Sequence, residues 1–207
     1  GGKERLIVVA TSGDTGSAVA SAYYRQPGVR VVIMYPHQMV SKRQAHQLSC
    51  WGENILTLAV EGDFDDCQRL LKAALKAHQN DDRLIWTTAN SINIGRLLPQ
   101  VAYFAYASLI QKRHGHDKMH VIVPSGNVGN ATAAYWAREM GYPMGDIVLA
   151  QNKNHTIVDY LNTGTYEMRA TQSTIANAMD VGHPSNFARL RHLYPDFSVF
   201  KSKVKAD

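Results

Sequence analysis

Short apolar runs alternate along the chain with segments in which apolar residues recur at helical spacing. Runs such as LIVVA at residues 6–10 are typical of strands that are buried on both faces. The clearest helix follows Asp63, because Phe64, Cys67 and Leu71 fall on one face of it. The pattern predicts strands over residues 6–10, 29–35, 54–60, 84–88, 120–124 and 147–150, and further helices over about 15–26, 41–51, 94–113 and 128–140. Such alternation is typical of an α/β protein with parallel strands.

The composition agrees with a globular protein of this class. The chain has 207 residues, of which 45% are hydrophobic and 19% are charged, and these values exclude disordered, collagen-like and coiled-coil proteins. The longest nearly uncharged apolar stretch, residues 101–110, is about half a membrane span, and no signal-peptide pattern opens the chain. We therefore expect no membrane partner and a cytoplasmic location.

The charges and the metal-binding residue types indicate neither nucleic-acid nor metal binding. The net charge of +5 comes from scattered lysines and arginines, and only residues 201–205 are densely basic, whereas a nucleic-acid surface needs a cluster on one face. Cys50 and Cys67 lack metal or redox spacing, so we interpret them as two buried thiols in a reducing compartment. His114 and His116 have no carboxylate or thiol partner nearby in the sequence, so we interpret them as loop residues and expect no metal.

Two turns, each between a predicted strand and a predicted helix, combine glycine with hydroxyl or amide side chains. The first is TSGDTGS at residues 11–17, and the second is PSGNVGN at residues 124–130. The start of a helix has free backbone N–H groups and the positive end of the helix dipole, so each turn could bind an anion. Ordinary capped turns are the alternative, because neither turn matches the nucleotide-binding patterns GxxxxGK[ST] or GxGxxG.

Four segments, in order along the chain, resemble threonine synthase. They are TSGDTG at 11–16, NSINIGR at 90–96, PSGNVGN at 124–130 and TQSTIANAMD at 171–180. That family belongs to the pyridoxal-phosphate enzymes with the tryptophan-synthase-β-like fold. The resemblance implies an incomplete parallel-sheet α/β fold of this type, made of three-layer αβα units. It also implies that residues 1–113 form most of a small domain with a carboxylate-binding loop, and that residues 114–207 form part of a large domain with the phosphate loop.

The resemblance also implies roles for individual residues. The loop that wraps the phosphate of the cofactor, pyridoxal 5'-phosphate, would consist of Ser125, Gly126, Asn127, Val128, Gly129 and Asn130. The loop that receives the substrate's α-carboxylate would consist of Thr11, Ser12, Gly13, Asp14 and Thr15. A second phosphate site, for the substrate, would consist of Asn90, Ser91, Asn93 and Arg96. A solvated helix position is an equal alternative for Arg96, and capping or loop hydrogen bonds are equal alternatives for the further candidates Asn177 and Asp180.

The implied reaction converts O-phospho-L-homoserine and water to L-threonine and phosphate, the last step of threonine biosynthesis. The family's Schiff-base lysine lies upstream of TSGDTG in a Phe-Lys-Asp context, whereas this chain begins ten residues before Thr11, and Lys3 has neither neighbour. We therefore expect a central fragment without a catalytic residue, active only with the remaining parts of a longer parent chain. Two alternatives stay open, a related phospho-lyase that forms a keto acid and a non-catalytic phosphate-binding remnant.

Overall fold

The computed structural model describes residues 2–11 and 13–207. The chain forms two compact units, Gly1–Asn90 and Ser91–Asp207. Each unit is built on a parallel sheet of its own. The parallel α/β class predicted from the hydrophobic pattern is therefore confirmed.

The sheet of the first unit has four parallel strands in the order β3-β2-β1-β4. The strands are β1 (Glu4–Ala10), β2 (Val29–Pro36), β3 (Ile55–Val60) and β4 (Leu84–Thr88). β1 is an inner strand and is buried from Leu6 to Ala10, which explains why an unbroken apolar run predicts it. Because the strands are parallel, the segments that follow β1 and β4 leave the sheet at the same edge.

Helices cover both faces of this sheet. They are α1 (Asp14–Tyr23), α2 (Lys42–Ser49) and α3 (Phe64–Ala77). Val9 and Ile33 pack with Val19 of α1 and Leu48 of α2 on one face, and α3 packs on β1 and β2 from the other. Capping boxes at Ser41 and Asp63 begin α2 and α3. The first unit thus has the expected three αβα layers.

The second unit begins with a long helix, α4 (Ile94–Arg113), and contains a three-stranded parallel sheet in the order β5-β6-β7. The strands are β5 (Met119–Pro124), β6 (Met144–Ala150) and β7 (Lys205–Ala206). The other helices are α5 (Gly129–Glu139), α6 (Thr156–Thr163), α7 (Phe187–Leu193) and α8 (Phe197–Lys203), with a short 3₁₀ helix at Asn177–Met179. α5 forms the crossover between β5 and β6, and seven of its eleven residues are buried.

Aromatic residues hold the short helices of the second unit together. Tyr160 of α6 meets Phe187 of α7 edge-to-face at 5.1 Å between ring centroids, and it meets Phe197 and Phe200 of α8 in the same way at 5.3 Å. Edge-to-face pairs contribute about 0.5–1.5 kcal/mol each beyond the area they bury. This cluster anchors the turn that precedes α7, which bears on the candidate site.

The sequence pattern predicted the elements up to Ala150 better than those after it. Every predicted strand and helix up to that residue is present, β4 and α4 with the predicted ends and the others with shifted ends. The pattern did not identify α6, α7, α8 or β7, because helices of seven or eight residues give little periodicity. Pro99 lies inside α4 near its start, where it removes one backbone hydrogen bond of the helix.

The boundary between the two units follows Asn90, so α4 belongs to the second unit. The domain boundary that the resemblance implies, after residue 113, stays a prediction. In the part of the chain that the structure describes, no helix is both long and apolar enough to cross a bilayer. Within the same residues, no three His, Cys, Asp or Glu side chains are grouped so that they could bind a metal ion.

Asn90 fastens the carboxyl end of β1 to that of β4. Its Nδ2 donates to the Ala10 carbonyl at 2.5 Å, and its Oδ1 accepts from the Ala10 N–H at 2.8 Å and from the Thr88 hydroxyl at 3.1 Å. The Asn90 side chain is buried, so water cannot replace these bonds easily. The amide therefore sets where the first turn begins.

We expect Asn90→Ala to lower the free energy of unfolding by about 2–3 kcal/mol, because both polar groups of Ala10 would lose a buried partner. Urea denaturation followed by circular dichroism measures this difference. Asn80→Ala, at an exposed position, is the matched control and should change stability by less than about 0.5 kcal/mol. Equal stability of the two variants would contradict this role for Asn90.

Candidate functional site

The first turn, between β1 and α1, is organised by a buried threonine hydroxyl. Thr11 Oγ1 accepts from the Gly13 N–H and the Gly16 N–H, each at 3.2 Å, and donates to the Gly13 carbonyl at 2.9 Å. Its predicted role as a substrate contact therefore competes with a structural one. Ser12, also predicted for this site, lies outside the described residues.

The N-cap residue of α1, Gly13, has no side chain, and Thr11 Oγ1 instead accepts from the Gly16 N–H in the first turn of the helix. Gly13 is the N-cap residue and is buried, Asp14 is exposed and Thr15 is half-buried. A Cβ at Gly16 would lie 2.6 Å from side-chain atoms of both Leu48 and Thr11, so only glycine lets α1 approach so closely. Because the N–H groups of Gly13 and Gly16 donate to Thr11, the candidate donors to a ligand at this helix start are the N–H groups of Asp14 and Thr15.

The second turn, between β5 and α5, has a strained backbone. Val128 is the N-cap residue of α5 and has φ = 61° in the left-handed region. This conformation is an outlier for a β-branched residue and costs about 1–3 kcal/mol. No side chain caps α5 among the described residues. Backbone N–H groups therefore lie at the start of this helix, directly after the strained residue.

Two glycines let the second turn pack closely against neighbouring segments. A Cβ at Gly126 would lie 3.0 Å from the Met179 Cα and 3.2 Å from the Val181 Cγ2. A Cβ at Gly129 would lie 3.3 Å from both the Asn186 Nδ2 and the Ser91 Cβ. Residues 178–181, Asn186 and Ser91 therefore form the walls of the turn, and a Cβ at either glycine would force these walls to move by a few tenths of an ångström.

Side chains of the second turn form hydrogen bonds with other residues of the chain. The Ser125 hydroxyl is buried and donates to the Val123 carbonyl at 2.8 Å. Asn127 Oδ1 accepts from the backbone N–H of Ser185 at 3.3 Å and from its hydroxyl at 3.1 Å, and the Asn127 carbonyl accepts from the Asn186 N–H at 3.2 Å. The side chains of Ser125 and Asn127 thus hold the turn in place. The candidate donors to an anion are therefore the backbone N–H groups of the turn.

Asn130, in the first turn of α5, is held from α4. Its Oδ1 accepts from the Tyr103 hydroxyl at 2.8 Å. Burial raises the pKa of Tyr103 above its usual value, so the phenol keeps its proton and acts as a donor. Asn130 is itself exposed.

The residues predicted for the second phosphate site do not all belong to one unit. Asn90 belongs to the first unit and uses its amide to bind Ala10. Ser91, Asn93 and Arg96 belong to the second unit, where Asn93 caps α4 by accepting from the Gly95 N–H at 2.9 Å. Arg96 is a half-buried residue in the first turn of α4. Ser91 lies beside Gly129 and so shares the walls of the second turn.

Asp180 is buried and serves as the centre of a hydrogen-bond network. Its carboxylate accepts from the Asn152 amide at 2.7 Å, the Asn154 amide at 3.3 Å, and both the hydroxyl and the N–H of Thr174, at 2.7 and 2.8 Å. These bonds fix the segment whose next residue, Val181, walls Gly126. Of the two readings left open for Asp180, the structure supports loop hydrogen bonding. Asn177 begins the 3₁₀ helix.

The turn before α7 is a part of the site that sequence reasoning missed. Asn186 is fully buried, and its Oδ1 accepts from Arg189 Nη1, while Arg189 Nη2 donates to the Ile92 carbonyl at 2.9 Å. The Asn186 Nδ2 has no hydrogen-bond partner among the described residues. A buried amide without a partner costs about 1–3 kcal/mol. Gly182 and Pro184 indicate a turn before α7, but no sequence pattern indicates the role of Asn186.

The chain is similar in sequence to known enzymes. A model of the family described as pyridoxal-phosphate dependent enzyme matches residues 1–198. The threonine synthase of Escherichia coli K12 is 42% identical over 194 residues, which are 94% of this chain and 45% of that protein. The threonine synthase of Buchnera aphidicola from Acyrthosiphon pisum is 40% identical over 188 residues, 91% of this chain and 44% of that protein. The chain thus spans less than half the length of these relatives.

Solved structures give the same result. The crystal structure of threonine synthase from Escherichia coli superposes with a TM-score of 0.89 at 40% identity, covering 99% of this chain and 48% of the other. The structure of threonine synthase from Brucella melitensis with bound pyridoxal phosphate has a TM-score of 0.80 at 32% identity and covers 99% and 50%. The expected fold type is therefore confirmed. The chain belongs to the family of pyridoxal-phosphate dependent enzymes.

Proposed function

We propose that these residues are part of a threonine synthase, which converts O-phospho-L-homoserine and water to L-threonine and phosphate with pyridoxal 5'-phosphate as cofactor. The observation that carries the proposal is the similarity to proteins of that name, at about 40% identity over more than nine-tenths of the chain. That similarity extends through both helix-start turns. The two turns could hold two anions, as a substrate with a carboxylate and a cofactor with a phosphate require.

The second turn fits a phosphate group. Gly126 and Gly129 are packed so closely that an added Cβ would meet neighbouring atoms at 3.0–3.3 Å, and α5 has no side-chain cap among the described residues. The backbone N–H groups of residues 126–130 are the donors that we assign to the cofactor phosphate, as oriented dipoles at a helix start. The side chains of Ser125 and Asn127 keep this backbone in place.

Each remaining residue has a defined task in the proposal. When bound, pyridoxal phosphate supplies an electron sink for carbanions. The start of α1 orients the substrate's α-carboxylate through the backbone N–H groups of Asp14 and Thr15, because the Gly13 N–H donates to Thr11. Ser91, Asn93 and Arg96 bind the substrate's phosphate at the start of α4, where the Arg96 guanidinium supplies a charge-assisted hydrogen bond. The proton-transferring lysine comes from other parts of the protein.

We further propose a cytoplasmic location, because both cysteines are free thiols. The prediction that both are buried is wrong for Cys50, which is exposed. Burial and the nearby carboxylates of Asp66 and Asp63 raise the pKa of the Cys67 thiol to about 11. The thiol therefore stays protonated at neutral pH and acts as a small apolar core residue.

The proposal is tested by incubating O-phospho-L-homoserine and pyridoxal phosphate with the full natural chain that contains these residues, and with the 207 residues alone. We expect the full chain to release phosphate with an equal amount of threonine, and the 207 residues to release none. Release of phosphate with a keto acid would identify a phospho-lyase instead. Cofactor binding by the full chain without release of phosphate would indicate a binding protein.

Gly126→Ala should weaken pyridoxal phosphate binding by the full chain roughly tenfold or more, because overpacking against the Met179 backbone costs about 1–3 kcal/mol. The cofactor's absorbance, titrated against protein, gives the dissociation constant. Gly2→Ala is the control, since an added methyl group there meets no atom within 4 Å. Unchanged affinity in Gly126→Ala would remove this turn from the phosphate site.

Arg96→Ala should raise the KM for O-phospho-L-homoserine about 10- to 100-fold, since a charged hydrogen bond contributes about 1.5–3 kcal/mol. The affinity for pyridoxal phosphate should stay unchanged, because that phosphate is assigned to a different turn. Arg113→Ala, at the exposed opposite end of α4, is the matched control. Steady-state kinetics that show equal KM values for both variants would favour the alternative of a solvated Arg96.

A further inference from the structure

Asn186 is a fully buried residue at the N-cap of α7, next to the second turn. Its backbone N–H donates to the Asn127 carbonyl at 3.2 Å, so the main chain at Asn186 is tied to the phosphate loop. The side chain is a primary amide, which has one acceptor oxygen and two donor hydrogens. In the part of the chain that is described, only the oxygen has a partner.

The orientation of the Asn186 amide is determined by its neighbour. Arg189 Nη1 donates to Asn186 Oδ1, and a guanidinium can only donate hydrogen bonds, so the oxygen must face it. Arg189 is held in turn by the bond from its Nη2 to the Ile92 carbonyl at 2.9 Å. The amide therefore cannot rotate by 180° without placing its donors against those of Arg189. The Asn186 Nδ2 must lie on the opposite side.

That opposite side is the beginning of α5. The Asn186 Nδ2 lies 3.3 Å from the point that a Cβ of Gly129 would occupy, and the Ser91 Cβ lies at the same distance from this point. Gly129 is the first residue of α5, an eleven-residue helix whose start has no side-chain cap among the described residues. A buried donor without a partner and a helix start with free N–H groups thus converge on one place.

We propose that the Asn186 Nδ2 donates a hydrogen bond to an oxygen of a phosphate monoester bound at the start of α5. This inference rests on the proposed function, which supplies two such groups, the phosphate of the cofactor and the phosphate of O-phospho-L-homoserine. Both present oxygens that only accept hydrogen bonds from the amide, and either would complete the pairing of Asn186. The amide lies close to Gly129, in the turn assigned to the cofactor, which favours the cofactor phosphate. Ser91, which is assigned to the substrate's phosphate, lies close to the same point and favours the substrate.

The test uses Asn186→Asp in the full natural chain. Aspartate keeps the shape of the side chain and an oxygen that can accept from Arg189, but it replaces the Nδ2 donor with a negatively charged acceptor. Asn162→Asp, at an exposed position in α6, makes the same change of charge away from the turn and serves as the matched control. Urea denaturation without ligand compares the stabilities of the two variants.

Three ligand titrations separate the sources of the phosphate. Pyridoxal phosphate and pyridoxal, which lacks the phosphate, are titrated by absorbance, and inorganic phosphate is titrated as a competitor of pyridoxal phosphate. The KM for O-phospho-L-homoserine is measured at saturating cofactor. A loss of affinity of at least tenfold for pyridoxal phosphate and inorganic phosphate, with pyridoxal unchanged, supports a contact with the cofactor. A tenfold rise in KM alone supports a contact with the substrate.

The inference is overturned if Asn186→Asp and Asn162→Asp bind all of these ligands equally well. The experiments distinguish failure of the inference from failure of the proposed function. Weaker phosphate binding by Asn186→Asp in a protein that makes no threonine would support Asn186 and refute the synthase, whereas unchanged binding in an active synthase would do the reverse. If Asn186→Asp does not fold, Asn186→Ser should bind pyridoxal phosphate more tightly than Asn186→Ala, because serine keeps a donor. Equal affinities would overturn the inference.

Discussion

The second unit depends on how the turn before α5 is held in place by the segments around it. Gly126 and Gly129 allow the turn to contact its walls directly, and bonds from Ser185 and Asn186 to Asn127 fix it from outside. The left-handed Val128 is tolerated because these contacts over-determine the backbone around it. The resulting helix start offers backbone N–H groups in a fixed geometry, which is the preorganisation that binding a phosphate requires.

In both units, polar side chains hold loops in place through hydrogen bonds. Thr11 and Asn90 bind the backbone around the first turn, and the Asp180 carboxylate ties the wall of the second turn to the residues that follow β6. Residues of this kind look catalytic in a sequence because they are polar and stand near glycines. Their burial and their hydrogen bonds to neighbouring residues show a structural task.

The sequence predicts the fold well wherever a hydrophobic pattern is long enough to show a period. β1 and α3 follow directly from their apolar residues, and both turns follow from a glycine placed between a strand and a helix. Asn186 and Arg189 could not be predicted, because their importance comes from contacts with Gly129 and Ile92, which lie more than 50 residues away. The same reason hides α6, α7 and α8, since aromatic contacts among them, rather than periodicity, stabilise them.

A ³¹P NMR titration of pyridoxal phosphate bound to the full natural chain tests most directly whether the turn before α5 holds the cofactor's phosphate. The second ionisation of a phosphate monoester in water has a pKa of about 6. Backbone N–H groups at the start of α5 stabilise the dianion, so the account predicts a single ³¹P shift, typical of the dianion, that stays constant between about pH 5.5 and 8. A bound phosphate that titrates with a pKa near 6, as in water, would contradict the claim that this turn holds it.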